Sequence, residues 1–312
     1  MELDLEYPLM ASSEEEAVPA LFAQEIDHMP SQSIFLPFNS SDDHHVFSVR
    51  REAFSLISHA KHCHKLNPFT TYLAVNYMDR FISKTNIRMP LQEKKRWIVG
   101  ILAISSLSLA AKMRNNDLSI SLSHVQREEG FAFHPGWVHR MEALILTTLG
   151  WRMRSITPFS FLNFFISLFK IQDSSLTQPL KFRASDIIFD THYEMKLLEY
   201  KPSLISASAL LCATLDLVPM ELPSLRDAIL SCGHVEKEKL LKCLKAMQEM
   251  VMDNSLKASG AVSICTSTQN SILHQFTSSE TEDATAKDKI KRRRLNGFCD
   301  DQAVQISQFQ PC

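Results

Sequence analysis

WIVGILAISSLSLAAKMRNND, residues 97–117, is the stretch whose reading decides the fold. From Trp97 to Ala111 it carries no charge, and Lys112 ends the run before Arg114, Asn115 and Asn116. Ser105, Ser106 and Ser108 interrupt it, and it falls short of the roughly 20 apolar residues that span a bilayer. Small and apolar residues on every side imply a helix buried on every side, the centre of a bundle. Lys112 then has two readings. It is either the point where a buried helix reaches water, or a contact that the helix holds in place.

Working outward, the chain is poor in the punctuation that other fold classes need. It has 7 glycines in 312 residues. No GxGxxG or GxxxxGK[ST] occurs, so no phosphate-cradling loop and no cofactor are expected. The one Asn-Gly hairpin signal, Asn296-Gly297, lies near the C-terminus. Hydrophobic content of 45% and charged content of 22% are those of a soluble globular protein. A net charge of -2 gives no global field for nucleic acid, so neither nucleic-acid nor membrane binding is expected. The 7 cysteines are scattered without a CxxC pair, which suits a reducing compartment. The start, MELDLEYPL, lacks the basic-then-apolar order of a secretory signal.

The organisation follows from helical spacing broken at proline. Residues 1–45 form an acidic segment, with an amphipathic piece at 18–26 that could lie on the body as a helix. Helices are predicted at 50–64, 68–83, 91–113, 121–128 and 135–149, and again at 158–169, 178–199, 202–215, 221–231 and 235–252. Pro68, Pro135, Pro158 and Pro202 suit first-turn positions, where a missing N–H costs nothing. The third helix of each set is rich in Ser, Ala and Leu. An all-α architecture of two five-helix repeats is predicted, 46–155 and 156–252, each built around its third helix. Residues 253–312 are Ser/Thr-rich and too polar to offset the entropy of ordering. They include the acidic patch TSSETED (277–283) and a basic cluster at 287–294.

Four stretches resemble one family, the cyclins, and within it the plant D-type cyclins. They are FTTYLAVNYMDRFIS (69–83), WIVGILAISSLSLAAKM (97–113), VHRMEALILTTLGWRMRSITPFSFL (138–162) and YKPSLISASALL (200–211). The resemblance implies tandem cyclin boxes and a partner, the catalytic subunit of a cyclin-dependent kinase, which this chain would bind and activate at the G1 to S step. It implies that Lys112, Glu142 and Ile101 face that kinase. Lys112 and Glu142 would flank the kinase's mobile regulatory helix. A lysine donates and a carboxylate accepts, so the two together can hold one backbone segment by both its polarities. It also implies an internal ion pair between Arg50 and Asp79, with Arg51 as an alternative partner.

Departures from the family pattern are as informative. Acids usually follow the lysine, where this chain has Arg114 and Asn115. The groove that takes Arg-x-Leu peptides of substrates and inhibitor proteins aligns with Val49, Ala53 and Leu56, but Glu52 puts a charge among them. No Leu-x-Cys-x-Glu motif is present, since no cysteine precedes Cys63, so direct docking of retinoblastoma-type proteins is not expected. These losses resemble the divergent sixth D subgroup.

The remaining constellations are weaker. Asp42-Asp43-His44-His45 and His62-Cys63-His64 offer metal-ligand types without four ligands at useful spacing, so no metal is expected. No nucleophile has an orienting context, and the chain is not expected to be an enzyme. Lys291, Arg292, Arg293 and Arg294 suit nuclear import, giving an expected distribution between nucleus and cytoplasm. Arg293-Arg294-Leu295 also fits the Arg-x-Leu pattern. The competing reading is a cyclin-fold scaffold that binds a kinase or transcription regulator without efficient activation. A helical repeat unrelated to cyclins would show many similar repeats of about 34 to 45 residues, and two dissimilar copies of about 100 are visible.

Overall fold

The computed structural model describes residues 14–31, 41–85, 95–114, 133–168 and 174–258, together with Ser123 and Gln126. Among these residues every regular element is helical. In chain order they are α1 (Glu14–Gln24), α2 (Ser41–His64), α3 (Pro68–Lys84), α4 (Lys95–Met113), α5 (Pro135–Thr148), α6 (Phe159–Leu168), α7 (Thr177–Asp190), α8 (Pro202–Leu217), α9 (Leu222–Ser231) and α10 (Lys237–Ala258). The predicted short helix 121–128 lies outside the described residues apart from helical Ser123 and Gln126. So do residues 1–13 and the entire tail from 259, including the basic cluster.

Both expected centres are found. α4 packs against α2, α3 and α5, and α8 against α6, α7, α9 and α10. From Pro202 to Thr214 every residue of α8 is buried. The segment Arg96–Met113 has the length and composition of a membrane span, yet 67% of it lies buried inside the protein, because its neighbours pack around it. Several helix starts follow from X-Pro pairs. At Asn67-Pro68 the asparagine Oδ1 accepts from the Phe69 N–H at 2.8 Å. At His134-Pro135 the ring Nδ1 accepts from the Gly136 N–H at 3.2 Å. Each side chain satisfies one orphan donor of a first turn.

The structure departs from the predicted pattern in three places. α2 begins at Ser41, inside the expected acidic segment 1–45. The predicted helix 178–199 stops at Asp190 and continues as two 3₁₀ turns, Thr191–Tyr193 and Met195–Glu199. The break frees the His192 carbonyl, which accepts two bonds from the Arg50 guanidinium, both at 3.2 Å. α10 runs on to Ala258.

A further central element is α3. All residues from Phe69 to Ile82 are buried, because α3 touches α2, α4 and α5 on one side and α7 of the second repeat on the other. Its polar residues are spent on tying segments together. Asn76 donates to the His28 carbonyl at 3.0 Å, and the Tyr77 hydroxyl donates to the Met153 carbonyl. Arg80 donates to the Arg152 carbonyl and to Ser155 Oγ at 3.0 and 2.9 Å. Buried polar groups are costly unless paired in this way.

Candidate functional site

Lys112 stands at the end of α4, where that helix leaves the core, and its side chain is 55% exposed. Glu142 lies on the second turn of α5, and the crossing of α4 and α5 brings the two together. Lys112 Nζ is 2.7 Å from both Glu142 carboxylate oxygens. His139 Nδ1 lies 3.2 Å from Glu142 Oε2. Burial works against the Glu142 charge, but hydrogen bonds from Lys112, Ser108 and His139 outweigh it and hold the carboxyl below its usual range. The pair is therefore a donor and an ionised acceptor at one edge of the bundle. Ile101, about three turns before Lys112, is 2% exposed and packs in the core rather than on the surface.

Beside Lys112 opens a groove of about 860 Å³. Leu109, Met113, Leu146 and Met153 supply its apolar lining, and Lys112, Arg152 and Arg154 its cationic edge. Trp151 projects from it with 69% of its surface exposed. The turn after α5 is tight: Gly150 and Trp151 both have φ of +60°, and the Trp151 N–H donates to the Leu146 carbonyl at 2.9 Å. Glycine takes that conformation freely, whereas a bulky residue there is strained. Backbone strain at an exposed tryptophan beside a groove makes Trp151 a candidate for contact with a partner. Sequence reading passed over it; the signal was Leu149-Gly150-Trp151 immediately after the helix, a helix stop that aims a large ring outward.

Other predicted residues fall as follows. Arg50 and Asp79 form a bidentate ion pair at 2.9 and 3.1 Å, both are buried, and Arg51 is exposed. Val49 and Ala53 are core residues, while Glu52 and Leu56 are half-buried on the same helix. Arg114 lies with its guanidinium 5.0 Å from the centre of the Phe69 ring; Asn115 to Asp117 and Lys291 to Arg294 lie outside the described residues. The Cys63 thiol sits 3.4 Å from His59 Nε2 on the exposed end of α2. Among the described residues no three His, Cys, Asp or Glu side chains converge as a metal would require. The side chains of Asp42 to His45 are not described.

Comparison with known proteins agrees with this architecture. Family models for the cyclin N-terminal domain and the cyclin C-terminal domain match residues 16–154 and 156–283. A D6-1 cyclin of Arabidopsis thaliana is 39% identical over 95% of this chain and 99% of its own length. Cyclin-D6-1 of Oryza sativa subsp. japonica is 34% identical over 91% of this chain and 85% of its own. Among solved structures, a viral cyclin from Herpesvirus saimiri superposes with a TM-score of 0.58 at 17% identity, covering 76% of this chain and 96% of that one. That likeness is one of fold. Two helical repeats around α4 and α8, two matching domain models and relatives along nearly the full chain lead to one assignment: the chain belongs to the cyclins, in the plant D-type branch and with its sixth subgroup.

Proposed function

We propose that this chain is the regulatory subunit of a cyclin-dependent serine/threonine kinase, which it binds and activates to promote the G1 to S transition and cell division. The observation that carries the reading is the groove beside Lys112. An apolar floor with a cationic edge fits the apolar face of an amphipathic helix laid across it. Lys112 lines it as a donor, and Glu142, bonded to Lys112 at 2.7 Å, stands behind it as the acceptor. In the free chain they satisfy each other; with a kinase helix in place the ammonium turns to a backbone carbonyl and the carboxylate to a backbone N–H. Holding that helix lets the kinase form its own Lys–Glu ion pair, the requirement for positioning the ATP phosphates. Trp151 serves as an apolar anchor, since exposed aromatic residues dominate the energetics of such contacts.

The test is co-purification and phosphorylation with a recombinant plant cyclin-dependent kinase. Lys112→Glu and Glu142→Lys each abolish activation under this reading, and unchanged binding and activity in both remove the pair from the mechanism. A second reading, a cyclin-fold scaffold without efficient activation, draws support from Arg114. This residue stands where the family carries an acid and lies over Phe69. Kinase binding without substrate phosphorylation would favour it. The basic residues Lys291 to Arg294 would direct the protein to the nucleus, shared with the cytoplasm; a fluorescent fusion lacking them, if still nuclear, removes that role.

A further inference from the structure

The helix at the centre of the second repeat begins without a cap of its own. α8 starts at Pro202, and Lys201 at its N-cap position provides no side-chain bond. Its cap comes instead from a residue 178 positions earlier. Glu25 Oε2 accepts from the Ser203 N–H at 2.9 Å, and Glu25 Oε1 accepts from the Ser203 hydroxyl at 3.0 Å. Lys201 Nζ is 3.6 Å away. Glu25 is 1% exposed. A carboxylate on the orphan N–H groups of a helix is favoured by both the hydrogen bonds and the dipole.

The segment carrying Glu25 has a second face. Gln24, Asp27 and His28 line the same groove as Lys112, Leu146 and Trp151. Asp27 Oδ2 meets Arg152 Nη1 at 3.3 Å on that wall. One turn before Glu25, Phe22 stacks on His234 at 4.6 Å and tilts against Phe161 at 4.8 Å, both in the second repeat. Residues 22–28 therefore run as a strap. It is pinned to the second repeat by Phe22 and Glu25 and presents its other face to the groove beside the first repeat.

We propose that Glu25 is a positioning residue for partner binding: by capping α8 it fixes the 24–28 wall of the groove, so the second repeat sets how tightly the groove holds a kinase helix. This rests on the groove being the kinase surface, as argued above.

The experiment uses the full chain and a purified recombinant plant cyclin-dependent kinase, with affinity measured well below the unfolding midpoint and the midpoint measured in parallel. Glu25→Ala weakens binding about ten-fold, equivalent to about 1.4 kcal/mol, while Glu25→Gln, which keeps a side-chain acceptor for the Ser203 N–H, stays within about three-fold. Asp27→Ala weakens binding in the wild-type background but adds nothing to Glu25→Ala, since the wall it belongs to is already released. A lower midpoint with wild-type affinity in Glu25→Ala reduces Glu25 to a stabilising residue and overturns the inference. Additive losses from Glu25→Ala and Asp27→Ala do the same. Should Glu25→Ala fail to fold, the Gln and Asp27 variants decide: equal affinity to wild type in Asp27→Ala refutes the wall. Kinase binding that survives Lys112→Glu and Glu142→Lys refutes the groove reading itself, a separate outcome.

Discussion

Asp79→Ala is the sharpest perturbation of this fold. It leaves the Arg50 guanidinium, 4% exposed, with the His192 carbonyl and without the two carboxylate bonds at 2.9 and 3.1 Å. Removing one member of a buried pair costs about 3–5 kcal/mol, because the surviving charge is stranded away from water. For a unit of this size each kcal/mol lowers the thermal midpoint by about 2–4 °C, so a fall of about 6–20 °C is expected. Asp79→Asn keeps one acceptor and loses the charge, and its fall is smaller. The double change Arg50→Leu with Asp79→Leu removes both charges and fills the space with apolar atoms, and costs less than either single leucine change. Far-UV circular dichroism through thermal and urea unfolding reads all five variants. A midpoint for Asp79→Ala within about 2 °C of wild type, or a double mutant that loses the sum of its singles, refutes the argument.

Trp151→Ala removes an exposed, strained ring and should weaken kinase binding about ten-fold or more while leaving the thermal midpoint unchanged or slightly higher, read by calorimetry and by melting. His28, pushed from 6.5 to about 4 chiefly by burial with Arg80 adding to it, and His192, pushed well below its usual value first by burial, stay neutral in the folded chain after the unfolded chain has begun to take up protons. Stability is thus complete above the ordinary histidine range and declines as pH falls through 6.5 toward 4; His28→Asn flattens that decline in urea titrations on either side of the window. Arg114→Glu combined with Asn115→Glu restores the acids usual after the cyclin lysine, and should raise affinity for a common partner kinase at low salt, with the gain shrinking as salt is added.

What could be read in advance was local. Ser, Ala and Leu around α4 and α8 announced helices without a wet face, and Asn67-Pro68, His134-Pro135 and Lys201-Pro202 gave starts that the structure places at the same residues. What escaped reading depends on partners far away in the chain. Nothing near Asp190 signals a helix break, since the reason for it is Arg50, which takes the freed carbonyl from 142 positions away. Glu25 resembles a solvated acid until Ser203 is placed over it. The burial of α3 was hidden by Asn76 and Arg80, which look like surface residues in a sequence and are paired inside the molecule, whereas the internal pairing of Asp79 was expected from the resemblance. The site divides in the same way. The proximity of Lys112 and Glu142 followed from resemblance alone, and Trp151 needed the backbone geometry of the turn before it stood out.

α3 has a consequence for how the molecule comes apart. Because its flanks serve α4 and α7 alike, neither repeat can melt without baring a surface that the other was covering. The two copies, though alike in plan, are then expected to unfold together rather than one after the other. Cutting between them would yield an adhesive fragment, a half whose exposed seam seeks a replacement for the repeat it has lost.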